Sequence, residues 1–296
     1  MANIIDDIKL SFKSGDALTR LILVNLGFYV AFLLLRILSF LFQANISGFF
    51  ISFTALPSDL LTLATRPWTM VSYMFLHEGF MHILFNMLWL FFGGRLFLEY
   101  FGSRRLISTY LLGGIIGGFL YVIFYNIFPA FSDVVSISNN RGASAGVMAV
   151  IFAIATYNPR FPVRIFFIAT VPLWGVAAFA LLTDLIGLGD GANAGGRIAH
   201  IGGAAFGYLM ARAYREGKDL TDGFSVLLDK IVNLFRAKPK LKKVYSSGGF
   251  NKGYRQNSGP QNDEAKLNDI LDKISRSGYD SLSKDEKEHL FKFGKD

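Results

Sequence analysis

Cysteine is absent from the chain, so disulfides and thiolate metal centres are excluded outright. Charge is scarce: Asp, Glu, Lys and Arg make up 18% of the 296 residues, where a soluble domain carries nearer about 25%. Too few charged side chains remain to solvate an ordinary globular surface. No internal repeat of the kind that builds many transporters is found. No small-residue cleavage site follows the first apolar stretch, as one would after a secretory signal peptide. Histidine occurs four times, and three of the four (His77, His82 and His200) lie in or beside apolar sequence.

What the chain has in plenty is apolar surface. Hydrophobic residues make up 52%, with 30 Phe and 30 Gly. That pairing suits packed membrane helices, where glycine lets backbones approach closely. Six apolar stretches read as spans: 18–42, 82–101, 106–128, 144–157, 165–188 and 198–214. The loop 43–81, broken by Pro57 and Pro67, is expected to lie in the membrane interface. The net charge of +8 gathers in short loops and after Tyr214, a pattern that suits anionic lipid rather than nucleic acid. Arg104, Arg105, Arg160, Arg164, Arg212 and Arg215 fall on one side, while Arg36, Arg66, Arg141 and Arg197 share the other with Asp133, Asp184 and Asp190. The positive-inside rule then places both termini in the cytoplasm.

That topology carries a test of its own. Spans two, four and six run in the same direction, and His82, Ser144 and His200 each sit near the start of one. The three polar residues therefore share one depth, in the outer part of the bilayer. Span four is about 21 Å long against a hydrocarbon core of about 30 Å, so the loop before Ser144 is expected to dip inward. Irregular backbone at that depth is tolerated where it lines a water-filled cavity, and hydrolysis requires water.

Each polar residue taken singly has an ordinary explanation. Ser144 is a capping residue at a helix start, His82 and Asn86 are helix–helix hydrogen-bonding groups, and His200 is a satisfied packing histidine. Together, at one depth, they form the parts of an acyl-transfer site. Neutral imidazole activates a serine hydroxyl near pH 7, which makes His200 the base for Ser144. His82 and Asn86, at i and i+4, share a helix face and can donate to an oxyanion, as can the backbone N–H of Ser144. No carboxylate is evidently placed to orient the imidazole, so a Ser144–His200 dyad is expected rather than a triad. His77, five residues before His82, points to another side of a helix and reads as a cavity-lip or structural residue. Phe85 and Trp174 are candidate cavity or gate residues.

These motifs resemble the rhomboid family of intramembrane serine proteases. The resemblance covers about 68–212 and rests on three of them. They are Gly142-Ala143-Ser144 opening the fourth span, the H-x-x-x-x-H-x-x-x-N run of His77, His82 and Asn86, and Ala199-His200-x-x-Gly203 in the sixth. It implies an all-α membrane protein, a six-transmembrane-helix bundle with a partly disordered cytoplasmic tail. It also implies Ser144 and His200 as catalytic residues, with His82, Asn86 and the Ser144 backbone as the oxyanion site. Cleavage of single-span membrane proteins in or near their membrane segments follows, with no cofactor and no metal. So does residence in the cell membrane, the inner membrane of a bacterium, among lipids that include anionic ones. Ala145 directly after the serine, Met148 four positions on and Thr69 after Trp68 depart from the common pattern, and they bear on substrate preference more than on activity.

Two other classes match parts of the sequence. An intramembrane metalloprotease is suggested by His77-Glu78-Gly79-Phe80-Met81-His82, but H-E-x-x-H needs one residue fewer to put both ligands on one face. Asp190 would be a distant third ligand. A non-catalytic binder of transmembrane helices usually lacks the nucleophile or the base, and both are present here. The chain divides into a cytoplasmic N-terminus (1–17), the bundle (18–214), a basic juxtamembrane segment with a flexible linker (215–262) and a short helical module (263–296). That module resembles one found on some bacterial rhomboid-family chains. Within the linker, 238–243 is a basic cluster and 246–262 is rich in Ser, Gly, Asn and Gln. In the module, Leu267, Ile270, Leu271 and Ile274 make a helical stripe, and Ser283 with Glu286 a capping box. The remaining histidine, His289, falls here and is read as solvated.

Overall fold

The computed structural model describes residues 4–165, 169–189, 191, 193–235 and 261–293. The chain forms two compact units, 1–237 and 238–296. In the first, α1 (Ile4–Ser14) leads into α2 (Ala17–Leu41). Asp16 caps α2 by accepting the Thr19 N–H at 2.8 Å. Burial lowers the acidity of the Asp16 carboxyl less than that hydrogen bond raises it, so its pKa is depressed. Three short helices, α3 (Ile46–Thr54), α4 (Leu60–Thr65) and α5 (Thr69–Ser72), occupy the loop that follows. Phe49, Phe53, Leu60, Leu61 and Trp68 are exposed along it, an apolar face suited to an interfacial position.

Next comes α6 (Phe80–Ile127), 48 residues long and broken at Gly102, where φ is +76°. Left-handed backbone there falls to glycine because an L side chain would strain it. A straight helix of that length would span about 72 Å, more than twice a bilayer core. The break folds it into two antiparallel halves: Gly93 and Gly113 both meet the 149–151 stretch of α7 (Ser144–Tyr157), while Phe101 at the turn packs on Tyr157. After α7 come α8 (Leu173–Gly189), α9 (Ala194–Arg215) and α10 (Asp222–Phe235).

Helix α7 is the axis of the bundle. It is apolar on all sides and wrapped by both halves of α6 and by α9, as a fully buried helix must be. By contrast, only 17% of the most apolar window of α2 is buried, so its Leu and Phe side chains cover the outside, where lipid alone accepts them. Helices α2 and α6 are both long and apolar enough to cross a membrane.

The fifth helical segment differs from expectation. It starts at Leu173 rather than Ile165, because β3 (Pro162–Ile165) and β4 (Ala169–Pro172) pair as antiparallel strands. Val163, Ile165, Thr170 and Val171 are β-branched, and the two prolines face each other at one end of the pair. The sixth segment begins earlier than expected, at Ala194, so that Gly195 lies against the Tyr121 ring.

Two loops are tied beneath the site. Strands β1 (Leu56–Pro57) and β2 (Asn139–Asn140) pair, and the Ser58 hydroxyl donates to the Val135 carbonyl at 2.7 Å. Helix α10 was not foreseen, since the segment reads as a charged linker. It is held by Ser225 Oγ against Ser108 Oγ at 2.7 Å and by Arg104 paired with Asp222 and Asp229. Arg105 reaches Asp219, just before α10, at 2.7 Å.

The second unit holds α11 (Gln261–Ser277) and α12 (Lys284–Phe293). The expected capping box is formed: the Ser283 N–H donates to Glu286 Oε2 at 2.7 Å and the Glu286 N–H to Ser283 Oγ at 3.3 Å. Of the expected stripe Ile270 is buried, whereas Leu271 faces out. Gln261 and Asn262 belong to α11 rather than to the linker. The basic cluster 238–243 and the rest of the linker, 246–260, lie outside the described residues, as does Asp190.

Candidate active site

Three helix N-termini converge at the site: α6 with His82 in its first turn, α7 with Ser144 as its first residue, and α9 with His200 in its second turn. The contacts fix them at one level. A Cβ on Gly142 would fall 2.6 Å from Cε1 of His82, and Gly142 itself has φ +120°, so both room and backbone require glycine there. Gly117 of α6 touches Ala145 and Ala199 together, the residue after Ser144 and the residue before His200. A Cβ on Gly203 would overlap the Ala145 carbonyl oxygen, so α7 and α9 meet backbone to backbone. These contacts hold the starts of α6, α7 and α9 together.

Converging N-termini make the site electropositive, since each carries about half a positive charge. They also supply unpaired backbone donors. Ser144 opens α7, so its N–H has no carbonyl partner within the helix. Negative charge developing on an oxygen there is stabilised by groups already in place.

Asn86 is buried and donates through Nδ2 to the His82 carbonyl at 2.8 Å. That bond fixes the side chain and leaves its second N–H available. His77 lies on the loop before α6 rather than on a helix, so the expected divergence from His82 does not hold. Its ring is 0% exposed, packs edge-on to His82 with centroids 5.0 Å apart, and accepts the Ala143 N–H at Nε2, 3.3 Å away. Its Nδ1 lies 3.3 Å from the Phe75 carbonyl. A carbonyl only accepts and an amide N–H only donates, so Nδ1 carries the proton and the ring is neutral. Burial first, and the neighbouring His82 second, push the His77 pKa down to about 4. With both nitrogens engaged, His77 is a strut beneath the nucleophile loop, as the structural option anticipated. A second strut is the Tyr73 carbonyl, which accepts the Gly142 N–H at 2.9 Å.

A carboxylate stands beside His200, where none is expected. Asp184 of α8 places Oδ2 3.0 Å from Nδ1 of His200 and is only 8% exposed. Its Oδ1 lies 3.7 Å from Nη1 of Arg197, which also donates to the Thr183 carbonyl at 2.7 Å. In the sequence Asp184 reads as an outer-side charge that sets topology. The missed signal was its position, an acid inside an apolar helix, where such a group marks function and needs a partner. Phe85 and Trp174 are 57% and 56% exposed, on the outside of the bundle.

A Rhomboid domain model matches residues 64–217, more than half of the chain. A Family of unknown function (DUF6576) matches 254–296. The chain is similar to RHOMBOID-like protein 12, mitochondrial, of Arabidopsis thaliana, at 26% identity over 211 residues, covering 69% of this chain and 60% of that protein. The chain thus spans about three fifths of that relative's length. Motifs, helical bundle and domain match agree: the chain belongs to the rhomboid family and is an integral membrane protein.

Proposed function

We propose that this chain is an intramembrane serine endopeptidase that cleaves single-span membrane proteins within or beside their membrane segments. The observation that carries the proposal is the meeting of Ser144, His200 and His82 at three helix N-termini inside an otherwise apolar bundle. The bundle crosses the membrane six times with both termini in the cytoplasm, in a bacterial inner membrane. The chain's segments are a cytoplasmic N-terminus (1–17), the bundle (18–214), a basic juxtamembrane segment with a linker (215–262) and a helical module (263–296). Lipids, anionic ones included, are its surroundings.

With its ring proton on Nδ1, a neutral His200 keeps the lone pair on Nε2. Ser144 Oγ attacks the scissile carbonyl carbon while Nε2 takes the hydroxyl proton. The carbonyl π bond breaks and its electron pair passes to the oxygen, which the Ser144 N–H, His82 and Asn86 receive. Collapse of the tetrahedral intermediate expels the amine, which takes the proton from Nε2. Water then repeats the sequence on the acyl-enzyme and releases the acid, and no cofactor or metal is needed.

The test is cleavage of a transmembrane substrate in liposomes by wild type, Ser144→Ala and His200→Ala, with and without a chelator. Loss of cleavage in both variants, with no effect of chelator, supports the dyad. Full activity in Ser144→Ala refutes it, and chelator sensitivity points to the metal mechanism. Capture of a membrane helix without cleavage by wild type points to the binder.

A further inference from the structure

The site contains a carboxylate that the dyad does not use. We propose that Asp184 is a positioning residue for His200, which turns the pair into a serine–histidine–aspartate relay whose acid comes from α8. The proposal rests on the serine-protease reading above.

The charges around His200 show what this carboxylate does. From α6, His82 faces His200 and interacts with it electrostatically. His82 in turn is approached by Arg141 and Glu78, which pair with each other. On α9 itself, Arg197 stands one turn before His200, against Asp184. Helix N-termini and a guanidinium all oppose a positive imidazolium. The group in hydrogen-bonding contact with Nδ1 of His200 is Asp184 Oδ2, at 3.0 Å.

The carboxylate is also held in place. Its two oxygens face different partners: Oδ2 meets the imidazole, Oδ1 the guanidinium. A Cβ on Gly187, one turn after Asp184 on α8, would overlap the Arg197 guanidinium, so α8 leaves a slot through which Arg197 reaches. Arginine has no acceptor, and this fixes which way an amide in place of the carboxylate would turn.

That constraint yields a test a packing role does not mimic. In Asp184→Asn, Arg197 takes the amide oxygen and the amide NH2 faces Nδ1 of His200. Nδ1 must then accept, the ring proton moves to Nε2, and the base loses the lone pair that receives the Ser144 proton. Asp184→Ala imposes no such tautomer. The expected order of kcat is wild type, then Ala, then Asn, with Asn slower than wild type by about 10²–10⁴-fold and KM within about threefold, as for a transition-state-only effect. Thermal stability should run the other way, with isosteric Asn above Ala. Removing the director in Asp184→Asn/Arg197→Met frees the amide to turn and should raise kcat above that of Asp184→Asn.

All are measured in liposomes beside Ser144→Ala and His200→Ala. If those two are inactive while Asp184→Asn cleaves within about threefold of wild type, the relay is wrong and the dyad stands. If activity merely follows stability, with Asn above Ala, Asp184 is structural and the proposal fails. If Ser144→Ala cleaves as well as wild type, the serine reading itself has failed, and the relay with it.

Discussion

Gly117 is where helix packing reaches the proposed catalytic pair, and a single methyl group there has a calculable effect. The Cβ of Gly117→Ala would lie 2.7 Å from Cβ of Ala145 and would overlap the Ala199 carbonyl oxygen. Ordinary carbon contacts are about 3.5–4.0 Å, so something must move by about 1 Å. Neither obstacle is the end of a flexible side chain. One is backbone, the other a Cβ fixed to backbone, so α7 and α9 themselves must shift. Overpacking of this kind costs about 1–3 kcal/mol, and about 1 Å of misplacement at a reacting pair costs about 10²-fold in rate. The moving residues directly neighbour Ser144 and His200, so we expect kcat to fall by about that factor while the bundle stays folded.

Gly27 is the internal control: it lies within α2 with no atom in reach of an added Cβ. Gly27→Ala should be neutral, or stabilise by up to about 1 kcal/mol through helix propensity. The assay is thermal unfolding together with cleavage kinetics of both variants in liposomes. A Gly117→Ala protein with wild-type kcat would refute the argument, because it would show that α7 and α9 tolerate separation at the site. Equal losses at Gly27 and Gly117 would refute it too, since the effect would then belong to any glycine.

Three further predictions follow from named contacts. Removing the buried strut in His77→Ala leaves the Ala143 N–H without its partner and should destabilise by about 1–3 kcal/mol, read as a lower unfolding temperature. His77 stays neutral in the fold down to about pH 4 but takes up a proton near 6.5 when unfolded. Its share of stability is therefore fully present above 6.5 and lost as pH falls toward 4, by about 3 kcal/mol in all, and His77→Ala should flatten that part of the stability curve. Asn86→Ala should lower kcat by about 10²–10³-fold with little change in KM if its second N–H meets the oxyanion; a KM effect alone would reassign it to substrate binding. Ser283→Ala should loosen α12 by about 1 kcal/mol, seen in the full-length chain as about fivefold faster amide exchange in its first turn, with cleavage unchanged.

Residues whose partners lie in the same local pattern were legible from the sequence. The i, i+4 relation placed His82 and Asn86 on one face of α6, and their carbonyl–amide bond confirms it. A common direction for the second, fourth and sixth apolar stretches puts His82, Ser144 and His200 near the same end of each, and the starts of α6, α7 and α9 do lie together. Ser283 and Glu286 announced their capping box because its geometry is contained in four residues. Where local and tertiary signals competed, the outcome was harder to foresee. The stretches 162–165 and 169–172 are apolar enough for a helix, yet their β-branched residues and two prolines pair as antiparallel strands. Helix α10 carries its apolar positions among charges that read as linker, and those same charges dock beside α6.

His77 and Asp184 were misjudged for a common reason. Each was assigned by the element it was thought to occupy: a helix for His77, whose angle from His82 then excluded contact, and an outer boundary for Asp184. One loop residue is free of helical angles, so His77 folds back under Ala143 and against His82. Asp184 lies well inside α8, where an unpaired carboxylate would be costly, and cost is itself information about a partner. His200 and Arg197 stand three residues apart on one face of α9, and Asp184 meets both. A carboxylate in an apolar helix and a histidine in the next one along the chain are therefore better read as a pair than as two separate facts, and that pair ties α8 to α9.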